Sequence, residues 1–244
     1  MNPFTQGSAF ARTVTHTPHG ALRESLISRA LIRECTPTPK RIVDIGCGEA
    51  RVAHILARTW NCSVHGYDPS EDMRHRAAHT LHDVPHAIFQ YSINDVLEHV
   101  HLAPGDLVLC HAVLNWHTHA EETLSQLLSW VRAQRGTLSL VVGSLHGYLI
   151  DACAHGQPLP SLTERRVRSA SYPDETLYLF DPSEVRIQID RSGARVLFHG
   201  GVRTLYDIAP DPDFDTFLLL EESLAEREPY RSMGDLTHFL ISYA

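Results

Sequence analysis

Two glycines and a set of carboxylates close to them are the residues of this sequence best suited to chemistry. Asp44-Ile45-Gly46-Cys47-Gly48-Glu49 follows the apolar run Arg41-Ile42-Val43, and a second apolar run, Ser63 to Tyr67, closes on Asp68. The order reads as strand, glycine-rich turn, helix and second strand, with that strand delivering a carboxylate beside the turn. Such a unit holds an adenosine. Gly46, Cys47 and Gly48 let the backbone approach a ligand, and Asp68 accepts hydrogen bonds from ribose hydroxyls. A dinucleotide turn wants a third glycine three residues after the second, and Arg51 stands there. Glu49 would also repel a diphosphate at the helix N-terminus, where anions otherwise bind.

An adenosine ligand without phosphate fits better, and S-adenosylmethionine is one. Its methionine end is a zwitterion beside a sulfonium cation, so carboxylates such as Asp44 and Glu49 near the turn help. The D-x-G-x-G turn with the acid after the next strand resembles the cofactor site of class I S-adenosylmethionine-dependent methyltransferases. A glycine-rich turn in an unrelated α/β protein is the competing reading.

The bulk properties set bounds. A chain of 244 residues suffices for one well-buried α/β domain with a modest cap and is too short for two full domains. No apolar run approaches bilayer length, and the first fifteen residues lack the apolar segment of a signal peptide, so a cytoplasmic protein is expected. Cys35, Cys47, Cys62, Cys110 and Cys153 are odd in number and scattered, which suits reduced, buried thiols better than a disulfide framework. The formal charge of -8 argues against a generic nucleic-acid binder but leaves room for a local basic patch. The 17 histidines invite a metal. Neither His75 with His79 nor His117 with His119 has Cys or carboxylate partners at zinc spacing, so none is expected.

The elements that must position the turn follow from periodicity. Residues 1–19 read as flexible or extended, and 20–34 carry a helical repeat through Leu22, Leu26, Ile27, Ala30 and Leu31. Strands are expected over 41–45, 63–67, 87–91, 106–110 and 137–142. Helices are expected over 50–59, with Val52, Ile55 and Leu56 inward, from an N-cap at Ser70 to about 81, and over 120–132. Alternating strands and helices give a Rossmann-like, doubly wound, mostly parallel seven-stranded α/β sheet. Then the pattern changes. Residues 148–154 read as helix and 157–172 as loop or lid, within an insertion over 144–180. Asp181-Pro182-Ser183-Glu184 starts a helix ending near Gly193, 195–198 is a strand, and 214–226 a helix. Residues 237–243 form a last strand, antiparallel and at the end of the sheet. One domain over 1–244 is the expectation.

Further blocks lie outside the turn. They are Gly20-Ala21-Leu22-Arg23, Leu109-Cys110-His111-Ala112-Val113-Leu114-Asn115-Trp116, His146-Gly147, Gly201-Val202-Arg203 and Glu228-Pro229-Tyr230. On these the chain from about Gly20 onward resembles the bacterial tRNA carboxymethoxyuridine methyltransferases, which methylate the carboxylate of a modified wobble uridine. The resemblance implies that Arg23 contacts the cofactor, that His111 lies at it, and that the tRNA anticodon region is the partner. Three departures fall where substrate would lie. The family's lysine-rich run after the fifth strand is replaced by Arg165, Arg166 and Arg168 with Glu164 among them. Ser144 and Leu145 stand where an asparagine precedes the His-Gly pair, and Tyr206 and Ile208 replace a histidine and a tyrosine.

A carboxylate nucleophile is ionised at neutral pH and needs no general base, so no catalytic residue is named. The protein would hold oxygen, methyl and sulfur in line and exclude water. The cofactor set is Arg23, Asp44, Gly46, Cys47, Gly48, Asp68, Asn94, Asp95 and His111. Asn94 and Asp95 lie where this superfamily contacts adenine, or they cap a short helix. His111 faces the cleft or is a core histidine, and Arg23 reaches the methionine carboxylate or is an exposed helix arginine. The substrate set is His146, Arg165, Arg166, Arg203, Tyr206 and Tyr230, with Arg168 and Arg231 as further cations. Trp116 stacks on a base or sits in the core. A small-molecule methyltransferase acting on an acidic molecule is the alternative to tRNA, favoured by the acidic charge and the lost lysine run. A module that binds S-adenosylmethionine without turning it over is the third reading.

Overall fold

Leu107, Val108, Leu109 and Cys110 of strand β4 (Asp106–His111) are all fully buried. A run apolar on both faces is what a central parallel strand requires when helices cover both sides. In this computed structural model, which describes residues 16–169, 175–209 and 213–243, β4 pairs in parallel with β1 (Arg41–Ile45) and with β5 (Thr137–Gly143). β2 (Ser63–Tyr67) and β3 (His86–Phe89) extend the parallel sheet beyond β1. β8 (Arg195–Val202) and β9 (Leu236–Ser242) complete it, in the order β3-β2-β1-β4-β5-β9-β8.

Side chains alternate along each strand, and the two faces collect different helices. Ile42, Leu107, Leu109, Val141 and Leu240 meet α1 (Pro18–Glu34), α2 (Arg51–Trp60), α3 (Glu71–Thr80) and α8 (Phe214–Leu224). Val43, Ile45, Val108, Cys110, Leu138 and Phe239 meet α4 (Ile93–His99), α5 (Ala120–Ala133) and α7 (Pro182–Arg191). α6 (Leu145–His155) and the short α9 (Tyr230–Met233) lie at the end where β5 and β8 finish. The N-caps read from the sequence are present: Ser70 Oγ accepts from Met73 N–H, and the Asp181 side chain accepts from Ser183 N–H.

Several elements depart from expectation. β9 is antiparallel to both β5 and β8 and lies between them, so it is not at the end of the sheet. Phe239, Leu240 and Ile241 are apolar on both faces and fully buried, whereas Arg195 of β8 is exposed, which suits β8 for the edge. In α2 the inward residues are Ala53, Leu56 and Ala57; Ile55 is exposed and Val52 half-buried. Part of the expected lid is ordered as β6 (Arg166–Arg168) paired antiparallel with β7 (Thr176–Tyr178); residues 170–174 lie outside the described residues. The expected flexible N-terminus lies outside the described residues up to 15. Beyond that, Thr17 Oγ1 accepts from Gly20 N–H at 3.0 Å, and Pro18 opens α1. Four of the cysteines are buried free thiols, and Cys153 is an exposed one.

The loop after β8 is held by one side chain. Glu221 of α8, 1 % exposed, accepts the N–H groups of Thr204, Leu205 and Tyr206 at 2.8, 2.7 and 2.9 Å. A carboxylate with two acceptor oxygens satisfies all three donors, whereas an amide would turn an NH2 toward some of them. Glu221→Gln should therefore destabilise the fold by about 2 kcal/mol, read as a lower urea midpoint at unchanged slope.

Candidate active site

β1, β2, β4, β5 and β8 end, and β9 begins, on one edge of the sheet. In open α/β sheets this is where ligands bind. At that edge the turn after β1 and the acid after β2 form one hydrogen-bonded unit. Gly46 and Cys47 donate from their N–H groups to Tyr67 O at 2.7 and 3.1 Å. Gly48 N–H donates to Asp68 Oδ2 at 3.0 Å, and Ser70 N–H donates to Asp68 Oδ1 at 2.8 Å.

The two turn glycines do different things, although both adopt left-handed backbone, at φ 65° and 53°. A Cβ on Gly46 would lie 2.4 Å from Val113 Cγ2, whereas among the described residues a Cβ on Gly48 would meet nothing within 4 Å. Gly46 thus makes room for the segment that follows β4, and of the pair Gly48 faces open space. Cys47 is buried, with Sγ 3.0 Å from where a Cβ on Gly66 would stand, so the turn offers backbone and not a thiol.

Two carboxyls lie side by side here. Burial, and then the charge of Asp68, push the Asp44 carboxyl up to about 8. Burial also raises Asp68, while the Ser70 and Gly48 N–H groups pull it back down. A cation brought to this spot would favour ionised Asp44. Glu49 is different, because Arg76 Nη1 lies 3.3 Å and His16 Nε2 2.9 Å from its oxygens. Its charge is partly balanced within the chain, so it repels anions less than the sequence implied; the missing third glycine stands.

Arg23 of α1 is a buried cation with donors to spare. Its side chain is 18 % exposed, and among the described residues its nearest ion-pair partner, Glu24, is 4.0 Å away. Glu24 is itself engaged by Arg51 Nε at 2.8 and 2.9 Å. Burial lowers the Arg23 pKa, and the charges of Glu24, Arg203 and Asp235 act on it as well. His111 stands close by at the end of β4, with Nε2 2.8 Å from Ser139 Oγ. Burial, then His238, then Arg23 hold its imidazole well below the usual range, so it is neutral at neutral pH. Ala112 then takes left-handed backbone at φ 56°, uncommon for a residue with a side chain, and the segment after it reaches back to Gly46.

Asn115 fastens the neighbouring elements. Its Oδ1 accepts from Gly143 N–H at 3.0 Å, and its Nδ2 donates to Tyr178 O at 2.6 Å, tying the end of β5 to β7. Asp95 is the third residue of a capping box, accepting from Ser92 N–H at 2.7 Å. Asn94 is exposed and lines a surface hollow with Glu122, Ser125 and Trp130, toward α5. The capping alternative therefore describes Asp95. Trp116 is half-buried in the turn after Asn115.

The expected substrate residues are distributed less simply. His146 has Nδ1 3.1 Å from Ser232 O and Nε2 3.6 Å from Asp181, which joins the start of α6 to α9. Next to it, a Cβ on Gly147 would lie 2.1 Å from Gly234 O, so that crossing of backbones requires glycine. Arg165 donates to both Glu184 oxygens at 2.5 and 2.8 Å. Arg166 donates to His117 O at 3.1 Å and Thr118 O at 2.6 Å, over the Tyr178 ring. Arg203 is held by Asp207 and by Asp235 at 3.2 Å, and Arg231 by Glu228 at 2.5 Å. Arg168 is exposed and Tyr230 half-buried. Tyr206 is 4 % exposed, its ring edge-on to Phe217 and His19, and so packs in the core. The basic patch expected from sequence is thus largely neutralised by the chain's own carboxylates, and Tyr206 does not join it. Sequence reasoning passed over Ser139, His238 and Asp235. The first two could have been flagged as polar residues inside otherwise apolar strands.

Asp44 makes stability depend on pH. Its folded value of about 8 exceeds the unfolded carboxylate value near 3.9, so the folded state keeps a proton that the unfolded state releases. Stability from this group is lost as pH rises from about 4 to about 8. The Tm advantage of Asp44→Asn over the wild type should therefore grow between pH 5 and pH 8. A pH-independent difference would mean that folded Asp44 is already charged.

Comparison with known proteins agrees with this geometry. A family model described as a methyltransferase domain matches residues 43–138. The tRNA 5-carboxymethoxyuridine methyltransferase of Escherichia coli (strain K12) is 27 % identical over 252 aligned residues, covering 94 % of this chain and 91 % of that protein. Among solved structures, the PH0226 protein from Pyrococcus horikoshii OT3 superimposes with a TM-score of 0.64 at 14 % identity, over 96 % of this chain and 97 % of that one. The plantazolicin methyltransferase BpumL, solved with a triazolic desmethylPZN analog and SAH, gives a TM-score of 0.57 at 17 % identity, over 98 % and 90 %. A turn with its paired acids at the edge of such a sheet, with a methyltransferase domain matched over residues 43–138, makes this chain an S-adenosylmethionine-dependent methyltransferase, similar in fold and cofactor turn to the class I enzymes.

Proposed function

We propose that this methyltransferase esterifies the carboxylate of a modified wobble uridine in tRNA, in the cytoplasm, with its cofactor seated over residues 44–50. One observation carries the reading. The likeness to a tRNA 5-carboxymethoxyuridine methyltransferase extends over 94 % of the chain, far outside the common domain at 43–138.

The residues present fit the cofactor. Among the described residues nothing stands over Gly48, two carboxyls lie ready for a cation, and Arg23 lacks a close partner. When bound, S-adenosylmethionine supplies a methyl group on a sulfonium, open to in-line displacement by an oxygen. Asp68, with both oxygens already oriented by N–H donors, accepts from the ribose hydroxyls. Asp44 faces the ammonium, and Arg23 takes the methionine carboxylate. The acceptor carboxylate is ionised and needs no base. His111, neutral and half-buried, serves by hydrogen bonding. Residues 144–169 and 175–180, hung on Asn115 and on the Ser144–Phe180 bridge, act as the cap that excludes water.

A second reading has its own support. Arg165, Arg203 and Arg231 are all paired with carboxylates and the net charge is -8, which suits a small acidic acceptor better than a phosphate backbone. The two readings part in a strain lacking this chain. Mass spectrometry of its wobble nucleosides should show the methyl ester falling away relative to the free acid. An unchanged ratio removes the tRNA reading and leaves the small acid.

Binding also has a proton signature. Since Asp44 is protonated at neutral pH in the free protein and faces an ammonium in the complex, association at pH 7 should release about one proton. Calorimetry in buffers of different ionisation enthalpy measures this directly, and Asp44→Asn should abolish the release.

A further inference from the structure

Three polar side chains form a row on the α1 face of the sheet: His111 in β4, Ser139 in β5 and His238 in β9. Val141 pairs with His111 on one side and with His238 on the other, and Ser139 lies two residues before it on the same face. Ser139 is 0 % and His238 1 % exposed, among Leu109, Phe198 and Leu240. Burying such groups is costly, and nothing in the reaction described so far uses either of them.

Ser139 Oγ lies 2.8 Å from His111 Nε2 and 2.9 Å from His238 Nε2. His238 Nδ1 is buried and meets no partner among the described residues. Three neutral arrangements make both of these contacts to Ser139 hydrogen bonds. If His111 donates to Ser139 and Ser139 donates to His238, the His238 proton sits on Nδ1, buried without an acceptor. If both imidazoles donate to Ser139, its own hydroxyl hydrogen is stranded. If His238 donates to Ser139 and Ser139 donates to His111, every buried hydrogen is bonded, and what stays unpaired is a lone pair on His238 Nδ1. A buried donor without an acceptor is the rarer and more costly fault. The third arrangement is the one that strands no hydrogen, and it would put the His111 proton on Nδ1, the nitrogen not turned toward Ser139.

We propose that Ser139 and His238 are positioning residues that lock His111 as the Nδ1–H tautomer, presenting a fixed N–H donor to a carboxylate in the crevice. The inference deepens the site described above and rests on that site taking S-adenosylmethionine. A donor at this nitrogen cannot also accept a proton there, so His111 is not a general base. Arg23, whose charge already acts on His111, is the second donor that such a carboxylate would meet. The carboxylate belongs either to the methionine end of the cofactor or to the methyl acceptor, and the test separates the two.

Nitrogen-15 NMR of the ligand-free protein reads the tautomer directly. Wild type and Ser139→Thr should show His111 protonated on Nδ1. Ser139→Ala should move it toward the Nε2–H form, whereas His238→Gln, whose amide N–H can replace the imidazole donor, should keep it on Nδ1. Ser139→Ala should weaken S-adenosylhomocysteine about tenfold while leaving 5′-methylthioadenosine, which lacks the carboxylate, unchanged. That result assigns the cofactor carboxylate; a raised KM for the acceptor with unchanged S-adenosylhomocysteine binding assigns the acceptor carboxylate, and both support the relay. A wild-type His111 protonated on Nε2, or a tautomer unmoved in Ser139→Ala, overturns it. So does a moved tautomer with no effect on either ligand. If the wild type binds no S-adenosylhomocysteine while the tautomer is as stated, the cofactor site falls and the relay stands.

Discussion

The Asp68 carboxylate is bonded on one side to the N–H of Gly48 and on the other to that of Ser70. Through it the turn after β1, the end of β2 and the start of α3 share one anchor, and a shift in any of them would move the other two. Gly48 can take part because its left-handed backbone points the N–H at the acid and leaves the far side of the residue open. Asp44, fully inside and next to this anchor, is held neutral by burial. The crevice is thus prepared for a cation that brings its own charge, which is the opposite of a phosphate site.

Charge is handled frugally elsewhere. Arg165, Arg203 and Arg231 each have a carboxylate of the same chain, and Arg166 is bonded to backbone carbonyls. Arg23 differs from these because the nearby Glu24 is already committed to Arg51. A buried guanidinium left in this state has strong reason to bind an anion from outside. The neutral His111 beside it adds recognition without adding charge.

Much of the site was legible because it is local. The strand-turn-strand order around Gly46, Gly48 and Asp68 could be read from spacing, and so could the caps at Ser70 and Asp181, since each depends on residues a few positions apart. β9 was legible as a strand but misplaced, because its neighbours are chosen by pairing with β5 and β8, far away in sequence. Ile55 was expected inside on apolar character alone, and the helix turned Ala53 and Ala57 inward in its place. Small residues there let α2 approach the sheet closely.

Taken alone, the amino-acid order determined the cofactor-binding unit, the alternation of strands and helices, and the absence of a third turn glycine. These follow from backbone geometry and short-range hydrogen bonding, which distant residues scarcely alter. Only the tertiary structure decided which arginines are already paired, that Gly46 serves Val113, and that Ser139 and His238 stand in line behind His111. Those outcomes depend on contacts between residues up to 99 positions apart in the chain. Electrostatic pairing and buried hydrogen bonds act over a few ångströms of space, and sequence distance carries no record of that space.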